Sequence, residues 1–278
     1  QRGTSFVLGD TLERGMDHAF KYYNVALNGD GTIIAVGAPG AHARTVIYDH
    51  HPWTGIGAVD IREYDGSDWV VLRQHEGSRL HDGSRVGQEF AAGTMNTQLG
   101  HSVAFSADGS VVVAGEPFIG QYQRGAWRAY GSESNYDYLG VAPKYAGGVE
   151  YEEAELGIDI DVSDNGHRVI VSQHKYMARS TWCGSPGEPP CPNERFVGST
   201  RVYEFDMKTK DYHELCLPPM GDPSDMLGYS VGISGDGTRF VVGAPAYVTD
   251  WGTNGVPVAP EPGYVRVFEL PGVRTPSP

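Results

Sequence analysis

Asn24-Val-Ala-Leu-Asn-Gly-Asp-Gly31, Ser102-Val-Ala-Phe-Ser-Ala-Asp-Gly109, Asp159-Ile-Asp-Val-Ser-Asp-Asn-Gly166 and Ser230-Val-Gly-Ile-Ser-Gly-Asp-Gly237 are four versions of one segment. Their last glycines lie 78, 57 and 71 residues apart. Self-similarity at such spacing signals a repeat architecture, in which each unit buries its apolar face only against its neighbours. Each segment alternates apolar and other residues with period two, as a half-buried strand does. Each then reaches an Asp-Gly or Asn-Gly pair, which predicts a tight hairpin with positive φ at both central positions. Second strands follow as Thr32-Ile-Ile-Ala-Val36, Ser110-Val-Val-Val-Ala114, His167-Arg-Val-Ile-Val171 and Thr238-Arg-Phe-Val-Val242.

Outward from this hairpin the pattern continues. Leu-Gly precedes three of the segments, at Leu99-Gly100, Leu156-Gly157 and Leu227-Gly228. Gly37-Ala-Pro39, Gly115-Glu-Pro117 and Gly243-Ala-Pro245 end three of the second strands, and Ser172-Gln-His174 replaces them in the third repeat. A third strand is predicted from each of Gly57, Gly125, Gly198 and Gly263, and a fourth around Trp69–Leu72, Tyr136–Leu139 and Tyr212–Leu215. The last repeat has no fourth strand after it. Ser5-Phe-Val-Leu8-Gly9 matches Tyr136–Gly140, so the missing strand is expected at the start of the chain. That permutation is what a closed ring needs. We therefore expect an all-β fold, a four-bladed β-propeller with four antiparallel strands per blade, closed by the N-terminal strand completing the last blade. Residues 1–272 form the single domain in this reading, and 273–278 a Pro-rich tail or linker. The alternative is a segment of a larger propeller.

The pattern Leu-Gly-x-Ser-Val, Ser-x-Asp-Gly, Gly-Ala-Pro and Gly-x-Val-x-Val resembles the FG-GAP repeat, the blade unit of integrin-α-like propellers. The resemblance covers nearly the whole chain. It implies an extracellular adhesion, matrix or cell-surface module and says little about activity. Blades of that family often hold calcium in the first hairpin, through oxygen ligands at alternate positions. Here three of the four hairpins lack the first or last ligand. The third keeps Asp161, Ser163 and Asn165 but has Val169 where the final acid would stand. A turn closed by side-chain hydrogen bonds is expected there, with calcium the alternative. No other cofactor or metal is expected.

Composition agrees with many short strands. The 278 residues include 38 Gly and 18 Pro, and 40% are hydrophobic, enough for a core. A net charge of −14, with no Lys/Arg run, argues against nucleic acid or an anionic membrane surface as partner. No apolar run is long enough to span a bilayer, and no signal-like segment opens the chain. Cys183 and Cys191 bracket a Pro/Gly-rich loop that a disulfide would pin, the alternative being two free thiols. A bridge would favour a secreted or luminal setting. Cys216 reads as a small buried hydrophobe.

Long loops at 40–56, 118–124, 175–197 and 246–262 are predicted to share one face, where binding is usually placed. Each carries an aromatic: Trp53, Tyr122, Trp182 and Trp251. Such rings suit a sugar face or a protein partner, or else plug their own loop onto the sheet. His42, His50 and His51 share a loop with Asp49, and His174 begins another. Their spacing is no recognised ligand set, so exposed polar loop residues are expected. No nucleophile elbow or phosphate loop is present. Glu152, Glu153 and Glu155 read as a solvated acidic run. The chain reads as a non-enzymatic interaction module of a surface, extracellular or filament assembly, with other proteins and possible glycans as partners. A lectin is the alternative, and a polysaccharide-active enzyme a further one.

Overall fold

The computed structural model describes residues 24–39, 57–76, 98–117, 126–131, 137–140, 156–174, 197–215, 219–222, 225–245 and 262–270. Every regular element among them is a strand. Sheet 1 runs β1 (Asn24–Leu27), β2 (Ile33–Gly37), β3 (Ala58–Tyr64), β4 (Trp69–Glu76). Sheet 2 runs β5 (Val103–Phe105), β6 (Val111–Glu116), β7 (Ala126–Gly131), β8 (Asp137–Gly140). Sheet 3 runs β9 (Ile160–Val162), β10 (Arg168–Gln173), β11 (Ser199–Asp206), β12 (Asp211–Glu214). Sheet 4 has three described strands, β13 (Ser230–Ile233), β14 (Arg239–Ala244) and β15 (Tyr264–Glu269). All four are antiparallel meanders in chain order, as the repeats predict. The fourth strand expected of sheet 4, residues 5–9, lies outside the described residues, as does the tail 273–278.

The hairpin turns differ from the expected two-residue form. Only the glycine is left-handed in each, at φ 75°, 72°, 70° and 69° for Gly31, Gly109, Gly166 and Gly237. The turn is held by side chains instead. The Asp or Asn before the glycine accepts the N–H two residues on, as in Thr32 N–H to Asp30 Oδ1 at 2.9 Å and Ser110 N–H to Asp108 Oδ1 at 2.8 Å. The residue three before the glycine accepts the N–H five residues on, as in Ile33 N–H to Asn28 Oδ1 and Val111 N–H to Ser106 Oγ, both at 2.9 Å. Ser163 and Ser234 do the same. Because these oxygens satisfy the turn's donors, the Asp has no need of positive φ.

Sheets pack face to face in series, and a core lies between each consecutive pair. Between sheets 1 and 2, Ala35, Val59 and Ile61 meet Val103, Phe105 and Leu99. Between sheets 2 and 3, Val113, Trp127 and Ala129 meet Ile160, Val162 and Leu156. Between sheets 3 and 4, Ile170 and Val202 meet Val231, Ile233 and Leu227. The same repeat positions recur at each junction: one sheet offers a receiving face from its second and third strands, and the next inserts its first strand. The leucine of Leu-Gly plugs each core and is at most 1% exposed. Its backbone bridges the glycine that opens the previous third strand, in Gly57–Leu99 and Gly198–Leu227. No side chain fits at those contacts, since a Cβ on Gly57 would lie 2.2 Å from Leu99 backbone atoms.

The turns also join hands. Gly29 N–H donates to the Ala107 carbonyl (2.7 Å), Ala107 N–H to Asp164 (2.9 Å) and Asp164 N–H to Gly235 (2.8 Å). Among the described residues the series ends there, with a face uncovered at each end. Val241, Val265 and Val267 hold the receiving positions of sheet 4 and are 37%, 66% and 67% exposed; their nine counterparts in sheets 1–3 are at most 1% exposed. Val25 and Leu27, on the inserting strand of sheet 1, are 60% and 56% exposed.

Candidate functional site

Strand order fixes which end of the sheets carries the long connections. Every second-to-third-strand connection (38–57, 117–125, 174–198, 245–263) leaves one end, while the first hairpin turns at the other end take five residues each (28–32, 106–110, 163–167, 234–238). The aromatics expected to form the binding surface, Trp53, Tyr122, Trp182 and Trp251, fall on those connections and lie outside the described residues. So do Cys183, Cys191, Cys216, His42, His50 and His51.

His174 is described, and it corrects the expectation of an exposed loop histidine. It is 5% exposed at the long-connection end of β10. Its ring lies edge-on to Tyr229, 5.5 Å between centroids at 73°. Tyr229 itself is exposed and opens a cavity of about 440 Å³, lined also by Ser230, Gly243, Ala244, Gly263, Tyr264 and Val265.

Tyr264 anchors one wall. Its hydroxyl donates to Asp225 Oδ2. The same oxygen accepts the Asp222 N–H at 2.7 Å. The Arg266 guanidinium stacks 4.4 Å above the Tyr264 ring and lies 3.9 Å from the Asp222 carboxylate. Burial first, then the neighbouring Asp225, pushes the Tyr264 hydroxyl up to about 12. It therefore stays a neutral donor across physiological pH and has no use as a base. The arrangement holds a mostly apolar pocket; the described residues that line it pair no nucleophile with a base. The repeat did carry a signal for this cluster, because Tyr264 stands where the other sheets have Ala58, Ala126 and Ser199.

The oxygens considered for calcium have other work. Asp161 Oδ2 accepts the Ile233 N–H across the junction with sheet 4 at 2.8 Å, and its Oδ1 accepts the Val162 N–H. Asp159 Oδ2 likewise accepts the Val231 N–H at 2.8 Å. Burial pushes the Asp161 carboxyl up, against the pull of those two donors. Ser163 and Asn165 close their own turn, Ser163 Oγ to Asn165 Oδ1 at 2.8 Å. Asp161 of β9 and Asp159 just before it thus fasten sheet 3 to sheet 4. Among the described residues no group of three His, Cys, Asp or Glu is placed to hold a metal ion.

No family profile matches the chain, and no curated protein matches it in sequence. Among solved structures, the tricorn protease aligns over 88% of this chain and 22% of its own at 11% identity, TM-score 0.45. A protein of Bacteroides uniformis provisionally named a 6-phosphogluconolactonase aligns over 81% and 52% at 10% identity, TM-score 0.42. The Dos1 propeller aligns over 81% and 43% at 13% identity, TM-score 0.40. The chain spans about half or less of the length of these structures. All three likenesses lie below a TM-score of 0.5 and carry no functional weight, which leaves the chain's own geometry as the guide to its role.

Proposed function

We propose that the four sheets close into a four-bladed β-propeller of the FG-GAP kind, residues 5–9 completing sheet 4, and that this ring is a non-enzymatic extracellular interaction module. The observation that carries the functional reading is the asymmetry of the two ends: four long connections at one, four five-residue turns at the other. A rigid ring with elaborated loops on one end is a scaffold for binding. Trp53, Tyr122, Trp182 and Trp251 are the contact residues in this reading.

Closure is supported by the complementarity of the two uncovered faces. Val25 and Leu27 are the repeat equivalents of Val103 and Phe105, which cover the receiving face of sheet 1. Val241, Val265 and Val267 are the receiving face that sheet 4 still has open. Leaving these five side chains in water forgoes on the order of 5 kcal/mol, comparable with the whole net stability of many domains. Polar groups match as well. Arg168 bonds Glu204 through Nε and Nη2 and donates from Nη1 to the Gly237 carbonyl at 2.8 Å. Arg239 repeats the pair with Glu269 at 3.2 Å, and its counterpart acceptor in a ring is the Gly31 carbonyl. Among the described residues, no atom outside its chain neighbours lies within 4 Å of a Cβ built on Gly31.

Two measurements test this. Val267→Asp would place an unpaired carboxylate in a closed junction and cost about 2–4 kcal/mol in urea unfolding. A change within about 0.5 kcal/mol, the usual effect of a surface substitution, would mean an open face. For the function, native mass with cross-linking of gently isolated material should show an assembly contacted through 40–56 and 175–197. A lone monomer whose loops bind only glycans, lost in Trp53→Ala or Trp251→Ala, would move the reading to a lectin.

A further inference from the structure

The cavity beside Tyr229 and Tyr264 invites a small-molecule reading, but repeat symmetry gives it a different occupant. At the same place in the preceding junctions, the glycine opening the third strand is met by the Leu-Gly of the next repeat: Leu99 on Gly57 and Leu227 on Gly198. Gly37 and Gly115, which end the second strands there, are overlain so closely that a Cβ would fall 1.9 Å from the carbonyl of Gly100 or Gly157. The corresponding residues of sheet 4 are Gly263 and Gly243, and both line the cavity. A Cβ on Gly243 would meet nothing nearer than 3.6 Å, and that atom belongs to its own hairpin partner Ser230. A slot that is filled in the other sheets has no occupant among the described residues here.

The leucine of each filled slot lies ten residues before the turn glycine: Leu99 before Gly109, Leu156 before Gly166, Leu227 before Gly237. Counting the same ten residues back from Gly31 reaches Lys21, flanked by Phe20 and Tyr22. We infer that this cavity is the docking slot for the chain's own segment Phe20–Tyr22, and so is a closing lock of the ring rather than a ligand pocket. The inference rests on the ring reading above and deepens it. In this count Lys21 stands at the leucine position and Tyr22 at the glycine position, with Phe20 beside them as the apolar side chain, so the occupant departs from Leu-Gly just as Tyr264 departs from its small counterparts Ala58, Ala126 and Ser199. Chain length agrees: 10–23, between the expected strand 5–9 and β1, is 14 residues, and 215–229 makes the equivalent step from β12 to β13 with 15.

Photo-cross-linking tests it. A benzoylphenylalanine in place of Tyr229, which is exposed at the mouth of the slot, is irradiated in the full chain and the adduct is mapped by mass spectrometry. The expected result is an intramolecular adduct on residues 20–22, independent of protein concentration. An adduct joining two chains would overturn the inference by making a second copy the occupant. An adduct elsewhere in the same chain, or none, would also overturn it. Val267→Asp separates the two readings. If it lowers the unfolding midpoint while the adduct misses 20–22, the ring stands and the slot assignment falls; if it is neutral, both fall.

Discussion

Gly37 and Gly115 show how much one hydrogen atom decides. Each lies against the carbonyl of the next repeat's Leu-Gly pair, so Gly115→Ala should prise sheets 2 and 3 apart. We expect a loss of about 1–3 kcal/mol or more in urea unfolding, the range for overpacking a close contact. Arg168 is the second residue of this kind. Its side chain is 2% exposed and joins β10, β11 and the turn of sheet 4. Arg168→Ala removes both a half-buried ion pair, the Glu204 carboxylate left behind being partly in water, and the guanidinium donor to the Gly237 carbonyl, and should cost about 2–3 kcal/mol. Trp127 is wholly buried, 5.0 Å from the Tyr203 ring and 5.2 Å from Tyr212. Trp127→Ala should cost about 3–5 kcal/mol, with incomplete collapse of the cavity it leaves.

The hairpin turn is where charge acts at the level of an element. Asp236 is held down at about 2 by the Ser234 hydroxyl first, then by the Thr238 N–H and hydroxyl. Asp30 is lowered by Thr32. At Asp108 burial pushes up, yet hydrogen bonds from Ser110 and Ser106 outweigh it. A carboxyl whose folded pKa lies below its unfolded value of about 3.8 binds its proton more weakly in the folded state. Its stabilisation is therefore complete above about pH 4 and is lost as pH falls from there toward 2. Acid titration of unfolding should show that slope, and Asp236→Asn should flatten it by lowering stability at neutral pH while leaving stability near pH 2 little changed. Tyr212 supplies a pH-insensitive counterpart: its buried hydroxyl donates to the Gly166 carbonyl at 2.6 Å, tying the fourth strand to the turn. Tyr212→Phe should cost about 1–2 kcal/mol, measured by denaturant unfolding, because the carbonyl is left without that partner.

Across the whole molecule, stability is shared between neighbours, since each core belongs to two consecutive sheets. In such a quasi-linear array an uncovered end weakens only the sheet that carries it, whereas a closed ring makes every junction internal. Hydrogen exchange separates these cases. In a ring, the amides of β13 and β14 should be protected as strongly as those of β9 and β10; in an open array sheet 4 should exchange first. The same contrast bears on association. Val25 and Leu27 at one end and Val241, Val265 and Val267 at the other are complementary rather than identical, so copies joined through them would form heterologous, extending contacts.

The sequence by itself determined the repeat and its strand order, because these follow from period-two patterning and from residues that only a turn or a close approach requires. Ser-x-Asp-Gly, Leu-Gly and Gly-Ala-Pro are local signals, each with a steric or hydrogen-bonding cause that acts within a few residues. Even there the turn differed in detail, since side-chain oxygens did what positive φ at Asp was expected to do. Only the tertiary structure decided what the odd residues are for. Asp161 reads as one oxygen of its own hairpin, and together with Asp159 it becomes a clamp once β13 lies beside it. His174 looks like a loop residue until Tyr229 covers it. Gly243 and Gly263 look like any other repeat glycines until their counterparts are seen filled. The roles of His174, Asp159 and Asp161 depend on neighbours 55 to 72 residues away in the chain, and one-dimensional patterning carries no record of which groups meet across a junction.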